Sequence, residues 1–525
     1  MRSFTPASSL RQVSGSRREA LYGSAATRQI EQQAAASVPH HTLMSRAGLS
    51  VARLARALAP HARRIWIACG PGNNGGDGLV AATHLHQWAQ ERGGGPEVIV
   101  THALQDEARM PADARQALQT ARAAGVPFSP QPPAHFDLAI DALLGIGAQR
   151  ALEGPLAQWL AVLRASAQPV LCVDLPSGLD ADTGVLATLN AGPTGPTGPR
   201  HTLSLLTPKP GLFTGAGRDA CGSVWFDDLG AEPAPDVPVT AWLAGEPPSA
   251  GARPHASHKG SFGDVLVLGG QGIHVQGAGM TGAAVLAARA ALHAGAGRVF
   301  VGLLEGDGAS PTPWDPVCPE LMFRRPQRLL EPGTLEAASV VCGCGGGTSV
   351  AALLPRVLSA APTLVLDADA LNAIAADSAL QTQLGHRHSH GWTTVLTPHP
   401  LEAARLLGSS TQAVMHDRLR AAQALADRFG AFCVLKGSGS VLAARGEAPL
   451  INASGNAALA TAGTGDVLAG MIGSAIAPIG LSGGPLRDRI ATAMHQHGWL
   501  ADHWDDNLAR GLTAGRLAAR VRPPT

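Results

Sequence analysis

Apolar runs in this chain stop abruptly at glycine-rich turns that open into helical stretches. That punctuation limits the fold more than any other feature. Residues 64–68 read as a strand, Gly70-Pro71-Gly72-Asn73-Asn74-Gly75-Gly76-Asp77-Gly78 as a loop, and 79–90 as a helix. The second half repeats the theme with a strand at 264–268, a glycine-rich loop and a helix at 282–294. A last turn, Gly463-Thr464-Gly465-Asp466, opens another helix. Further strands are predicted at 97–100, 138–143, 170–173 and 203–206, then at 298–301, 339–342, 363–366, 394–396 and 432–435. Helices are predicted at 26–35 and 43–58. Strands alternating with helices build a mostly parallel sheet covered on both faces.

The Pro- and Ala-rich stretch 231–257 has neither helical nor strand period and marks a domain boundary. The expected organisation is a disordered extension at 1–19, a first domain at 20–230, a linker at 231–254 and a second domain at 255–522. The GPTGPTGP run at 192–199 is a loop insertion, because so few triplets cannot wind a collagen helix.

A formal net charge of +1 argues against a dedicated nucleic-acid surface, which needs a basic excess. The most apolar segment, 457–480, carries Asp466 and many glycines, which suits a buried helix start better than lipid. The seven scattered cysteines read as buried reduced thiols, so a cytoplasmic setting is expected, and with it a homo-oligomer. Lysine occurs only as Lys209, Lys259 and Lys436, so arginine supplies 37 of the 40 cations. The lysines that survive such a bias mark places where a compact ammonium is needed.

Chemistry concentrates at the ends of the predicted strands. The Gly70–Gly78 turn holds two carboxamides and a carboxylate at a helix start, where backbone amides favour negative charge. Asp141-Ala142-Leu143-Leu144-Gly145-Ile146-Gly147 and Asp174-Leu175-Pro176-Ser177-Gly178 each place an aspartate where a strand ends. Open α/β sheets bind ligands at those carboxyl ends. Asn73, Asn74, Asp77, Asp141, Asp174 and Ser177 would thus converge, an oxygen-rich set suited to a hard cation and a polar substrate.

The motifs GPGNNGGDG, DALLGIG, VDLPSGLDADTG and TPKPGL, in this order, resemble the N-terminal domain of bifunctional NAD(P)H-hydrate repair enzymes. The resemblance implies a Rossmann-like three-layer α/β/α domain that epimerises R and S hydrates of NADH and NADPH (NADHX and NADPHX). It implies substrate binding by Asn73, Asn74, Gly75, Gly76 and Asp77, by Gly145, Ile146, Gly147, Ala148, Gln149, Arg150 and Ala151, and by Asp174. It also implies a potassium ion (K+) on Asn74, Asp141 and Ser177, with Asp174 as the acid/base residue.

The second half is similar to the ADP/ATP-dependent dehydratase partner domain, through HKGSFG from His258, GMTGA from Gly279, LDADALN from Leu366, TPHPLE from Thr397, VLKG from Val434 and GTGD from Gly463. A ribokinase-like α/β domain is implied, taking ADP or ATP with Mg2+ as co-substrate. Ala283, Gly345, His399 and Asp466 would contact the hydrate, and Lys436, Gly437, Ser438, Gly439, Ser440 and Gly465 the adenine nucleotide. Independently of any family, an aspartate behind a glycine turn at a helix N-terminus can take a proton from a hydroxyl attacking a phosphoryl group. The alternative is a vitamin or sugar kinase of ribokinase-like fold with a non-catalytic N-terminal binding module.

Two departures from the resemblance stand out. Cys342-Gly343-Cys344-Gly345 replaces a GPGLG-like turn, so Cys344 stands in place of proline, and Asn452-Ala453-Ser454-Gly455-Asn456 lacks the usual prolines. His386, His388 and His390 read as a solvated loop. His495 and His497, two apart on a helix, point away from one another and share no metal.

Overall fold

A computed structural model describes residues 10–103, 107–147, 152–187, 198–247, 255–305, 314–478, 484–504 and 511–523. The chain divides into two compact units, Met1–Trp242 and Leu243–Thr525.

In the first unit seven strands lie in the order Arg11–Gln12, Ser223–Asp227, Arg200–Leu205, Val170–Val173, Leu138–Ala142, Arg64–Cys69 and Glu97–His102. All neighbours are parallel except the first pair. Strand Arg64–Cys69, one in from the edge, is buried on both faces. Ile65, Ile67 and Cys69 enter one apolar cluster, while Trp66 and Ala68 enter the other. That alternation fixes the register, because a one-residue slip would exchange the faces. The carboxyl ends therefore stay level: Cys69 pairs with Ala142 and with His102, and Val173 with Leu203.

The helix after Cys69 begins at Asn73, not Leu79, and runs to Glu91. The glycines explain both the early start and its invisibility in the sequence pattern. A Cβ on Gly75 would lie 1.8 Å from the Gly70 carbonyl oxygen, one on Gly76 2.6 Å from Met44 Cε and one on Gly78 2.6 Å from Ala142 Cβ. Here glycine lowers a helix onto the sheet, and the missing side chains leave no apolar period to read.

Two strands of this sheet escaped the sequence reading. Arg11–Gln12 pairs antiparallel with Trp225 and Phe226, and the Arg11 guanidinium packs on the Phe226 ring and bonds Glu19 at 2.8 Å. The disorder expected through residue 19 is thus corrected from residue 10 onward; residues 1–9 lie outside the described residues. Ser223–Asp227 was hidden by its polar ends.

Among the described residues of the second unit, nine strands lie in the order Met322–Phe323, Arg298–Leu304, Asp264–Gln271, Ser339–Cys342, Thr363–Leu366, Thr393–Leu396, Phe432–Leu435, Val441–Ala443 and Leu450–Ile451. The pairs are parallel as far as Phe432–Leu435 and antiparallel after it. Helix Thr464–Ala475 lies against helix Thr281–His293 so closely that a Cβ on Gly470 would meet the Ala287 carbonyl oxygen at 2.0 Å. Among the described residues no helix is long and apolar enough to cross a membrane. All seven cysteines are buried and unpaired.

Substituting Gly75 by alanine should destabilise the first unit by about 1–3 kcal/mol through overpacking. Gly72→Ala, with nothing within 4 Å of its Cβ, should cost much less. Denaturant midpoints of the two variants check this.

Candidate active sites

In the first unit the level strand ends form the floor of a cavity of about 550 Å³. Asn73, Asn74, Asp77, Gly145, Asp174 and Lys209 line it, together with Ile146 and Gly147. Gly75 and Gly76 lie just behind this lining, buried in the first turns of the helix, where a Cβ on either would collide with its neighbours. Ala148, Gln149, Arg150 and Ala151 lie outside the described residues.

Asp174 follows its strand with φ of 66°, an uncommon backbone for a residue with a Cβ. That turn aims its carboxylate at Lys209, whose ammonium is fully buried and donates to Asp174 Oδ1. Lys209 also donates to the Leu205 carbonyl at 2.8 Å and to Ser204 Oγ at 3.3 Å. A Cβ on Gly145 would stand 3.3 Å from Asn74 Oδ1 and 3.5 Å from Asp174 Oδ2, which puts three predicted residues side by side.

Asp141 and Ser177 sit together below this surface. Ser177 Oγ donates to Asp141 Oδ1 at 2.6 Å, and the Ser177 and Leu143 amides bond the same carboxylate at 2.9 and 3.2 Å. Burial still pushes the Asp141 carboxyl above its ordinary range. Asn74 Nδ2 is buried without a hydrogen-bond partner.

The sequence reading missed the acidic wall. Asp77 is pushed well above the usual carboxylate range by burial, and further by Asp174, Glu31 and Asp113. Glu31, on helix Ser24–Ser37, is raised by burial and then by Asp174. Only the folded chain brings these distant helices to the Gly70–Gly78 turn.

In the second unit Asp367, at the end of strand Thr363–Leu366, is the hub. Its Oδ1 accepts from Lys436 Nζ at 2.7 Å and from Thr397 Oγ1 at 2.7 Å, while Cys344 Sγ faces Oδ2 at 3.7 Å. Gly465 lies against Lys436, since its Cβ would come 3.2 Å from Nζ. Gly345, with φ of 57°, packs against Ala283.

Asp466 stands in the first turn of helix Thr464–Ala475, whose N-cap, Gly463, makes no side-chain cap bond. Its carboxyl is raised to about 6 by burial and by Asp367, against the lowering influence of Cys344 and Lys436. His399 caps helix Pro400–Leu407, its Nδ1 accepting from Leu401 N at 3.1 Å and Glu402 N at 3.2 Å.

Two supporting residues were not found from the sequence. Buried Arg418 donates to the carbonyls of Leu435, Lys436 and Gly439, which shapes the Lys436–Ser440 loop. His497, set aside as a metal ligand, is buried and held neutral, its pKa lowered to about 4 by desolvation. Its Nε2 lies 2.9 Å from the Thr464 carbonyl, bracing the GTGD turn.

The two units define a Rossmann-like α/β domain followed by a ribokinase-like one, each with its candidate site at the carboxyl edge of parallel strands. Residues 40–211 match the family described as YjeF-related protein N-terminus, and residues 265–522 the family described as NAD(P)H-hydrate dehydratase. The bifunctional NAD(P)H-hydrate repair enzyme of Escherichia coli is 34% identical over 83% of this chain and 80% of its own length. An ADP-dependent (S)-NAD(P)H-hydrate dehydratase of Neisseria meningitidis is 38% identical over 52% of this chain and 88% of its own. The solved ADP/ATP-dependent NAD(P)H-hydrate dehydratase of Bacillus subtilis, co-crystallised with ATP/Mg2+, is 27% identical over 52% of this chain and 91% of its own, with a TM-score of 0.40. The chain belongs to the family of bifunctional NAD(P)H-hydrate repair enzymes.

Lys209→Met should lower stability by about 3–5 kcal/mol, because it leaves Asp174 largely buried without its cation. Lys209→Met/Asp174→Asn, which removes both charges, should recover much of that loss; thermal melts of the three chains decide.

Proposed function

We propose that the first unit epimerises the R and S hydrates of NADH and NADPH, and that the second dehydrates the S hydrate at the expense of ADP or ATP. The epimerase domain is assigned to residues 20–230 and the dehydratase domain to 255–522, with 231–254 between them. Family membership and the placement of Asp174 and Asp466 in separate units support this reading.

In the first unit Asp174 serves as acid/base at the hydrated ring carbon, and Lys209 keeps its carboxylate oriented toward the cavity. Asn73, Asn74, Asp77 and Gly145–Gly147 bind the hydrate. Potassium would be held by Asn74, Asp141 and Ser177. An amide, a carboxylate and a hydroxyl are hard oxygen donors, and turning the Asn74 amide over would put its oxygen at the buried position where Nδ2 has no partner. A cation there would supply positive charge beside the substrate.

In the second unit Ala283, Gly345, His399 and Asp466 face the hydrate, and Lys436–Ser440 with Gly465 hold the nucleotide as its Mg2+ complex. Asp466 takes the proton of the hydrate's hydroxyl as that oxygen bonds the terminal phosphorus and the nucleotide leaves. Loss of the phosphate with its C–O electron pair, and of a proton from the neighbouring carbon, restores the dihydronicotinamide. We further assign the protein to the cytoplasm and to a homo-oligomer without nucleic-acid or membrane partners; its unpaired buried cysteines support the compartment.

Asp174→Asn should slow epimerisation by roughly two to four orders of magnitude and leave dehydration of pure S hydrate unchanged. Equal loss of both activities would refute separate sites. Recovery of dihydronicotinamide absorbance from each purified hydrate, with and without nucleotide, gives the readout. A stable phosphate ester accumulating instead would identify a kinase.

Dehydration should rise with pH through about 6, as Asp466 loses its proton and becomes a base. Asp466→Asn should bind ADP normally yet dehydrate roughly a hundredfold slower or worse. Because the folded state raises this carboxyl, the stability it contributes below its unfolded pKa is lost as pH rises through about 6. The amide should therefore not lower the melting temperature above that pH, whereas loss of a helix cap would.

A further inference from the structure

Cys344 lies in the second site, and the dehydration chemistry leaves its thiol unused. It sits in a turn that only glycines can make, between Gly343 at φ 118° and Gly345 at φ 57°. Its carbonyl accepts from Gly270 N at 2.9 Å, and Gly345 O accepts from Gln271 N at 2.6 Å. The backbone that carries the thiol is therefore fixed, and the thiol itself bonds Asp367 Oδ2. Cys344 Sγ and the carboxylate oxygens of Asp367 and Asp466 lie within 4.8 Å of one another. Among the described residues no second group of three or more His, Cys, Asp and Glu side chains is gathered so closely.

We propose that Cys344, Asp367 and Asp466 form a binding site for a thiophilic divalent cation such as Zn2+, and that its occupation shuts off dehydration. Three observations carry this. The first is distance. Tetrahedral zinc with Zn–S of about 2.3 Å and Zn–O of about 2.1 Å separates sulfur from oxygen by roughly 3.6 Å. Cys344 Sγ and Asp367 Oδ2 are 3.7 Å apart.

The second is lone-pair supply. Lys436 and Thr397 both bond Oδ1 of Asp367, whereas Oδ2 faces the thiol. A cation replacing the thiol proton bonds Sγ and Oδ2 without displacing Lys436. The third is charge. A thiolate and two carboxylates would be balanced by one divalent cation together with the Lys436 ammonium. Bringing these four groups close to a neutral sum lowers the cost of burying them.

Cys344 and Asp367 are buried, and Asp466 is the partly exposed member through which an ion enters. Binding breaks the S–H bond, forms a metal–sulfur bond and releases one proton to solvent, with no change of oxidation state. Thiolate selects zinc or cadmium over Mg2+, which prefers oxygen and water. A metal on the Asp466 carboxylate removes the proton acceptor. That last consequence rests on the proposed dehydration; the metal site itself does not.

Titrating the full-length chain with Cd2+, in the absence of nucleotide, tests the site through the thiolate-to-cadmium charge-transfer band. Wild type should show the band saturating at one equivalent. Cys344→Ser should abolish it. Asp466→Asn, which keeps the thiol, should weaken Cd2+ binding by more than about tenfold, and it carries the test if the serine variant fails to fold. In dehydration of S hydrate with nucleotide and Mg2+, Zn2+ should inhibit wild type reversibly by chelation and spare Cys344→Ser.

No band in wild type, or an equal band in Cys344→Ser, overturns the site. A band without inhibition of an active enzyme overturns the regulatory half. A band with no dehydratase activity under any condition counts against the proposed function while the metal site stands.

Discussion

Both sites depend on the same interaction, an ammonium pressed against an aspartate at the carboxyl edge of a parallel sheet. Lys209 meets Asp174 in the first unit and Lys436 meets Asp367 in the second. Desolvating such a pair costs several kcal/mol per ion, and the contact offsets this only with further hydrogen bonds. Those are present: Leu205 and Ser204 complete Lys209, and Thr397 completes Asp367. Two of the chain's three lysines are consumed in this way, in a sequence that writes nearly every other cation as arginine.

The buried arginines show why the exchange is not made. Arg200, Arg387 and Arg418 each spread their fork over several backbone carbonyls, tying loop to helix or strand. A planar guanidinium suits that task, because its donors point along separate fixed directions. An ammonium gathers its acceptors around one point, as Lys209 does with Asp174, Ser204 and Leu205. Lysine scarcity in the sequence thus marked the sites by chemistry rather than by motif.

Much of the fold was legible because buried parallel strands write themselves as β-branched runs. Val170–Val173, Ser339–Cys342, Thr363–Leu366 and Phe432–Leu435 fall where those runs predicted them. What escaped is set by partners distant in sequence. Arg11–Gln12 is a strand only because Phe226 and Trp225 accept it, and two residues carry no period. Glu31 reads as a surface residue of an amphipathic helix until Asp77 and Asp174 are brought near it. His497 is one helix position among many until the Thr464 carbonyl meets it.

The Gly70–Gly78 turn shows how a correct site can be read for an incomplete reason. Its glycines suggested amides bared to a ligand. Two of them instead let a helix descend on the sheet until Gly75 touches the Gly70 carbonyl and Gly78 touches Ala142, while Gly76 admits Met44 of a neighbouring helix. That descent determines where Asn73, Asn74 and Asp77 stand, because all three ride on the first turns of the lowered helix. With bulkier residues at Gly75 or Gly78 the helix would stand off the sheet and its N-terminus would leave the level of Asp174. In this arrangement the glycines set the height at which Asn73, Asn74 and Asp77 meet the strand ends.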